Sequence, residues 1–373
     1  MDLPVTPLPR RTVLRYGLGA AATTLLASAG LLASAERAAA DVVNAELHPL
    51  NGERIMIDGL IVPVLGFGST AQRAEIPGGR LEVQTGDTVN VRITNGTTRQ
   101  IGLAVPGVPG VPGTLVPPGG TGTISFTAPA RPGTFYYVGT IDGSADTGRA
   151  LGTTGALVVR PREYPATFRD PVPIEALFPG ALRNADGTPR ARRQPLFGTD
   201  APQIPQVIVQ ERTWLFSELN PTTARDLAGG RIALPSDPEP EYFLINGISG
   251  MLAVEDPATF LEGRAGDLLT PGDATLVRMI NTGRAPRSVH FHGNHIWVLS
   301  HPDTPWIVGT NKDTVRIPPG TVVDVLFPFS TPPDSYPVVA HAQKYVVHDH
   351  IEMAETASGG HYAGGMVSEA VFD

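Results

Sequence analysis

Short runs in which apolar and polar residues take turns, cut by Gly and Pro, dominate this 373-residue chain. Thr88-Val89-Asn90-Val91-Arg92-Ile93-Thr94 alternates with a period of two, the spacing at which one face of a strand is buried and the other wet. Ser288-Val289-His290-Phe291-His292 and Tyr345-Val346-Val347-His348-Asp349-His350-Ile351 are β-branched and apolar enough to be read as strands too. The 42 Gly and 37 Pro residues punctuate these runs with turns and leave little room for helix. The pattern predicts an all-β protein of antiparallel Greek-key β-sandwiches.

The pattern also occurs twice. Gly86-Asp87-Thr88-Val89-Asn90-Val91-Arg92-Ile93-Thr94-Asn95 matches Gly272-Asp273-Ala274-Thr275-Leu276-Val277-Arg278-Met279-Ile280-Asn281, with Gly, Asp, Val, Arg and Asn at the same offsets. Val116-Pro117-Pro118-Gly119 with Phe126 then matches Ile317-Pro318-Pro319-Gly320 with Phe327. An internal repeat of this kind predicts two related domains, at 41–163 and 206–373. The Pro- and Arg-rich stretch 164–205 reads as the connection between them. Val105-Pro106-Gly107-Val108-Pro109-Gly110-Val111-Pro112-Gly113 reads as a surface loop of successive turns.

Residues 1–40 stand apart as a targeting segment. Arg10-Arg11-Thr12-Val13-Leu14-Arg15 is a twin-arginine pattern, followed by an apolar stretch and a small-residue cleavage site at Ala38-Ala39-Ala40. The expectation is twin-arginine export to the periplasm, cell envelope or medium, with no membrane span left after cleavage. The net charge of −8 falls to −10 once the leader's four arginines and two acidic residues are removed. An acidic chain without a basic run argues against nucleic-acid binding. No cysteine is present, which excludes disulfides, thiolate nucleophiles and thiolate metal ligands.

Candidate chemistry concentrates near the C-terminal end. His290-Phe291-His292-Gly293 and His348-Asp349-His350 each place two imidazoles on one face of a strand. If the strands are neighbours, about 4.8 Å apart, four rings can converge on one ion. His290, His292, His348 and His350 are therefore the candidate metal ligands. Imidazole suits both copper and zinc, and intrinsic affinity favours copper. A hydrogen-bonded histidine cluster without metal is the alternative. Arg287 and Asp349 have the opposite parity, so they should face away from the rings, either as an ion pair or as two separately solvated charges. Glu352 shares the parity of His348 and His350, which makes it a candidate proton donor as well as an ordinary strand-end carboxylate. His341, His361 and His301 read as surface residues in loops, and Trp297 and Trp306 as core or interface aromatics.

These motifs resemble the multicopper oxidases, which are built from cupredoxin β-sandwiches. His290-Phe291-His292-Gly293 is similar to the family's C-terminal-domain motif, and His348-x-His350 to its His-Cys-His motif. Lys312-Asp313-Thr314-Val315 before Pro318-Pro319-Gly320, and Pro132-Gly133-Thr134-Phe135-Tyr136-Tyr137, are also family-like. Two domains instead of three resembles the two-domain laccases and copper nitrite reductases, whose trimers make a homotrimer an expectation here. The resemblance implies copper as cofactor and a small-molecule substrate.

The chain departs from that family in two places. An electron-entry copper would need a cysteine where Asp349 stands, a histidine where Arg287 stands and a second histidine at Ala354, with Met366 resembling the axial methionine. A trinuclear cluster would need histidines at Ala104, Pro106, Val138 and Thr140, the repeat's counterparts of His290, His292, His348 and His350. The N-terminal half keeps one histidine, His48. The implied function is an exported, copper-binding protein with a one-copper, histidine-only site, not a full four-copper laccase. It would act as a copper-dependent oxidoreductase if it is an enzyme at all. A copper-buffering protein without turnover and a metal-free cell-envelope interaction protein stand as alternatives.

Overall fold

The computed structural model describes residues 40–111, 114–169, 171–188, 207–230, 234, 239–254, 256–262, 273–328, 343–356 and 364–372. Ala38–Asp373 forms one compact unit. In its first half, one sheet runs in the order Ile61–Gly68, Val42–Ile55, Thr88–Thr94, Thr121–Thr127. The facing sheet runs Gly78–Gln84, Thr154–Arg160, Gly133–Ile141, Ile101–Ala104. Val89, Val91 and Ile93, the apolar half of the alternating run, are fully buried in the core between the two sheets.

The second half repeats the arrangement with larger sheets. An eight-stranded sheet has Val207–Leu219, Asp273–Asn281, Thr321–Phe327 and Ile296–Ser300 at its centre. A five-stranded sheet has the order Leu261–Glu262, Val367–Phe372, Gln343–Asp349, Arg287–Phe291, Thr314–Ile317. Trp214, Phe216, Val289, Phe291 and Val347 belong to the apolar layer that joins them. The sheets are mixed, not purely antiparallel as the sequence suggested. Val42–Ile55 runs parallel to Thr88–Thr94, and Val207–Leu219 parallel to Asp273–Asn281. Parallel neighbours need a long crossover, and between Ile55 and Thr88 the chain provides one by passing through a strand of the opposite sheet.

The matched asparagines do the same job in both halves. Asn95 Nδ2 donates to the carbonyls of Arg99 and Val116, and Asn281 Nδ2 to those of Ala285 and Ile317. Each buried amide thereby ties a strand end to the Pro-Pro-Gly turn that follows. The Val-Pro-Gly run also forms turns: Val108 N donates to Val105 O, and Val105, Val108 and Val111 point inward. The connecting segment is more than a tether. Val172, Ile174, Leu177 and Phe178 pack against Leu276, Trp297 and Leu326 of the eight-stranded sheet.

A buried ion network joins the two halves. Glu211 receives Arg80 at 2.8 Å and Arg160 at 2.9 Å from the first sandwich, and Arg278 at 2.9 Å from the second. Desolvation alone would push the Glu211 carboxyl up, but Arg278 and Arg160 outweigh it and hold the pKa at about 2. Arg278 also donates to Thr134 Oγ1, which in turn donates to Asp324, itself bonded by Ser300. Burial pushes the Asp324 carboxyl up, against the pull of Arg278 and the two hydroxyls. Among the described residues no helix is long and apolar enough to cross a membrane.

Candidate metal centre

Two neighbouring strands of the five-stranded sheet build the site. Arg287–Phe291 pairs antiparallel with Gln343–Asp349, and His290 lies directly opposite His348. Alternation then sorts the residues. Arg287, Val289, Phe291, Val347 and Asp349 are buried on the core side, so the histidines share the other face. Both strands end inside their motifs. His292 follows the last strand residue, its N–H still bonded to Val346 O, and Gly293 then turns the chain at φ 72°. A side chain at Gly293 would strike the Tyr345 ring, its Cβ lying 2.5 Å from it. His350 likewise follows the strand, with its N–H bonded to Ser288 O.

The imidazoles come together. Ring centroids lie 4.5 Å apart for His290–His292, 5.6 Å for His290–His348 and 5.3 Å for His292–His348. His290, His292 and His348 each offer a nitrogen within 4.8 Å of the other two. The exposed His350 ring stands 5.0 Å from His290 and 4.9 Å from His348. Nε2 of His292 and Nε2 of His348 are 3.3 Å apart. Two nitrogens on a tetrahedral ion with bonds of ~2.0–2.1 Å would be separated by ~3.3–3.4 Å. This pair, also within hydrogen-bond reach, is thus spaced as two ligands of one small divalent ion would be, with a nitrogen of His290 close enough to join them.

The far nitrogens are held. His290 Nδ1 is 2.8 Å from Thr314 Oγ1, and His348 Nδ1 is 3.1 Å from the Asp349 carbonyl and 3.4 Å from Glu355 Oε1. Desolvation, then the neighbouring His290, His348 and His350, push His292 below the ordinary histidine range. Desolvation does the same to His348, reinforced by His350 and His290 and opposed by the Asp349 carbonyl and Glu355. Both rings are thus biased to the neutral form that ligation requires.

On the core side of the same strands, Arg287 and Asp349 are fully buried. Their closest charged atoms, Nε and Oδ2, are 3.9 Å apart, and neither has a hydrogen-bond partner. The strong partner of Arg287 is instead Glu218, at 2.6 Å from Nη2, and the guanidinium lies 4.7 Å from the Phe243 ring centroid. Asp349 spends its other oxygen on the N–H groups of Ser288 and Ile351. Desolvation raises its pKa against the pull of Arg287 and those N–H groups. Ala354 and Met366 adjoin the same pocket, with Asp349 N bonded to Met366 O and Met366 N to Ala354 O.

Other expected positions fall as follows. Glu352 is exposed at the start of the helix Glu352–Thr356. His301 is buried, not at the surface: its Nε2 faces Arg316 O at 2.9 Å and its Nδ1 accepts from Thr304 N, so a loop histidine serves as an internal tie. His341 and His361 lie outside the described residues. Trp297 is core, whereas Trp306 is 74% exposed. His48 lies 3.8 Å from Glu46 on the strand Val42–Ile55. Ala104 pairs with Val138 as His290 pairs with His348, without a metal-binding side chain in either position. Sequence reasoning gave no role to Thr314 or Glu355. Thr314 stands opposite His290 in the register, a pairing that no local motif encodes. Glu355 escapes strand alternation, because the chain turns into a helix just past His350.

Two mixed β-sandwiches packed as one unit are the cupredoxin arrangement, and comparison with known proteins agrees. A multicopper oxidase family model matches residues 70–164 and a second matches residues 210–363. The chain belongs to the multicopper oxidase family. It is similar in fold to a blue copper oxidase from Nitrosomonas europaea, at 19% identity and TM-score 0.60 over 88% of this chain and 86% of that one. A copper nitrite reductase from the same organism aligns at 16% identity and TM-score 0.56, over 89% and 94% of the two chains. A multicopper oxidase named mgLAC aligns at 22% identity and TM-score 0.57, over 89% and 86%. Among curated proteins, none matches the sequence significantly.

Proposed function

We propose that this protein is an exported, copper-binding oxidoreductase whose single copper ion is held by histidine alone, through His290, His292 and His348 with His350 completing the set. The observation that carries the reading is the 3.3 Å approach of two Nε2 atoms within a triad of mutually close imidazole nitrogens. Family membership favours copper over zinc, which the same donors would accept. When bound, copper would supply one-electron chemistry and Lewis acidity. The chain's own part is to hold His290 and His348 rigid from behind and to leave the exposed His292 and His350 on the side a small-molecule substrate would approach. Thiolate-coupled electron entry has no cysteine to support it, and Ala104 and Val138 offer no further ligands. A full four-copper reaction is therefore not part of the proposal.

Export rests on the twin-arginine segment at Arg10-Arg11, and an acidic net charge of −8 disfavours nucleic acid as a partner. A homotrimer would place a neighbouring chain over the half-open histidine face.

Metal analysis of protein matured with copper, combined with absorption and paramagnetic-resonance spectra, tests the site. The expected result is about one copper per chain, lost in His348→Ala, with no intense blue band. Wild-type protein that takes up no copper would overturn the reading. Air oxidation of a phenolic substrate, abolished by the same substitution, separates an oxidoreductase from a protein that only stores copper.

A further inference from the structure

The helix Glu352–Thr356 begins two residues after His350 and turns the chain back toward the histidines. Its Glu355 brings Oε1 to 3.4 Å from His348 Nδ1, and the Asp349 carbonyl lies 3.1 Å from the same nitrogen. A carbonyl oxygen can only accept, so the bond to it forms only when Nδ1 carries the proton. That leaves the lone pair on Nε2, the atom 3.3 Å from His292 Nε2.

Backbone contacts tie the helix in this position. Met366 N donates to Ala354 O at 2.7 Å, and Asp349 N to Met366 O at 3.1 Å. Gly365 brings its backbone so close that a Cβ there would run into the backbone oxygens of Glu355 and Ala354. Ala354 is fully buried and Glu355 only partly exposed, at 22% of its side chain. Among the described residues His290 has no carboxylate as near: Asp313 is 4.0 Å from its Nδ1 and 53% exposed, and the hydroxyl of Thr314 is its close partner.

We propose that Glu355 is the positioning residue of the histidine site, a carboxylate that fixes the His348 ring for ligation through Nε2 and adds a negative charge behind it. This rests on the reading that the cluster binds copper. Groups placed behind a ligand histidine's second nitrogen orient the ring and raise its basicity, and their loss costs about 10–100-fold in metal affinity. Here the Asp349 carbonyl accepts the N–H and Glu355 sets its charge beside it. The charge also biases the site toward a divalent cation over a monovalent one.

The test compares full-length wild type, Glu355→Gln, Glu355→Leu and His348→Ala. Copper(II) and zinc(II) affinities would be measured by chelator competition, and the copper hyperfine coupling by paramagnetic resonance. Nitrogen-15 NMR of the metal-free protein would report the His348 Nδ1 proton. Glu355→Leu should bind both metals about 10–100-fold more weakly, with an altered hyperfine coupling and a shifted Nδ1 proton resonance. Glu355→Gln keeps an acceptor oxygen without the charge, so it should fall between Leu and wild type. A Glu355→Leu protein that unfolds at the wild-type temperature and binds as tightly as wild type, while His348→Ala does not bind, would overturn the proposal. If wild type itself binds no metal, the copper reading fails separately. The metal-free resonance then decides the positioning role, and a His348 signal unchanged by Glu355→Leu would refute it.

Discussion

Glu211→Gln is expected to lower the free energy of unfolding by about 3–5 kcal/mol, the usual cost of leaving buried ions without their partner. Arg80, Arg160 and Arg278 converge on this one carboxylate, and the side chains of Arg160, Arg278 and Glu211 are almost wholly buried. Removing its charge leaves guanidiniums from both sandwiches crowded around a neutral amide. Among the described residues, only Glu82 beside Arg80 and Arg160, and Asp324 near Arg278, then remain as counter-charges. The readout is the midpoint of urea unfolding, with the slope unchanged if the two halves still unfold together. The sign of the pH dependence follows from the depressed pKa. The stabilisation is fully present above the ordinary glutamate value of 4.5 and is lost as pH falls toward about 2. That shift is worth about 3 kcal/mol. Wild type should therefore lose stability across this acidic window more steeply than Glu211→Gln, and parallel curves for the two proteins would contradict the argument.

Arg287→Met should cost a comparable amount, about 3–5 kcal/mol, because it removes the counter-charge of the fully buried Asp349 and of the partly buried Glu218 at once. Glu218 would lose a 2.6 Å ion pair, and Asp349 the only guanidinium within 4 Å among the described residues. Asp349→Asn should be much milder. The retained amide oxygen can still accept from Ser288 N and Ile351 N, and the raised pKa of Asp349 shows that its charged form is already disfavoured there. Thermal or urea unfolding of the two variants side by side checks the ordering. Equal losses would mean that the 3.9 Å contact carries more of the pocket's stability than the geometry assigns to it.

Much of this was legible in the chain. Alternation placed Val89, Val91 and Ile93 in a core and sorted His290 and His348 from Arg287 and Asp349, because the two-residue period of a strand leaves no freedom in which face a side chain takes. The two His-x-His motifs could be paired for the same reason. What sequence could not supply was long-range partnering. Glu218 lies 69 residues from Arg287 and became its main partner, where the sequence had offered only Asp349 or solvent. The network around Glu211 joins positions up to 190 residues apart. Parallel pairing of Val207–Leu219 with Asp273–Asn281 was missed because alternation is the same whichever way a neighbouring strand runs. His301 was misplaced because a polar residue in a loop-like stretch can still be drawn inward once both its nitrogens find partners.

The segment between the two sandwiches has a practical consequence for dissecting the molecule. Val172, Ile174, Leu177 and Phe178 roof a greasy surface made by Leu276, Trp297 and Leu326. A fragment starting at Val207 would leave that surface bare and should clump in solution. One starting just upstream of Val172 would bring its own roof, so the second half separates cleanly only if it takes the connector with it.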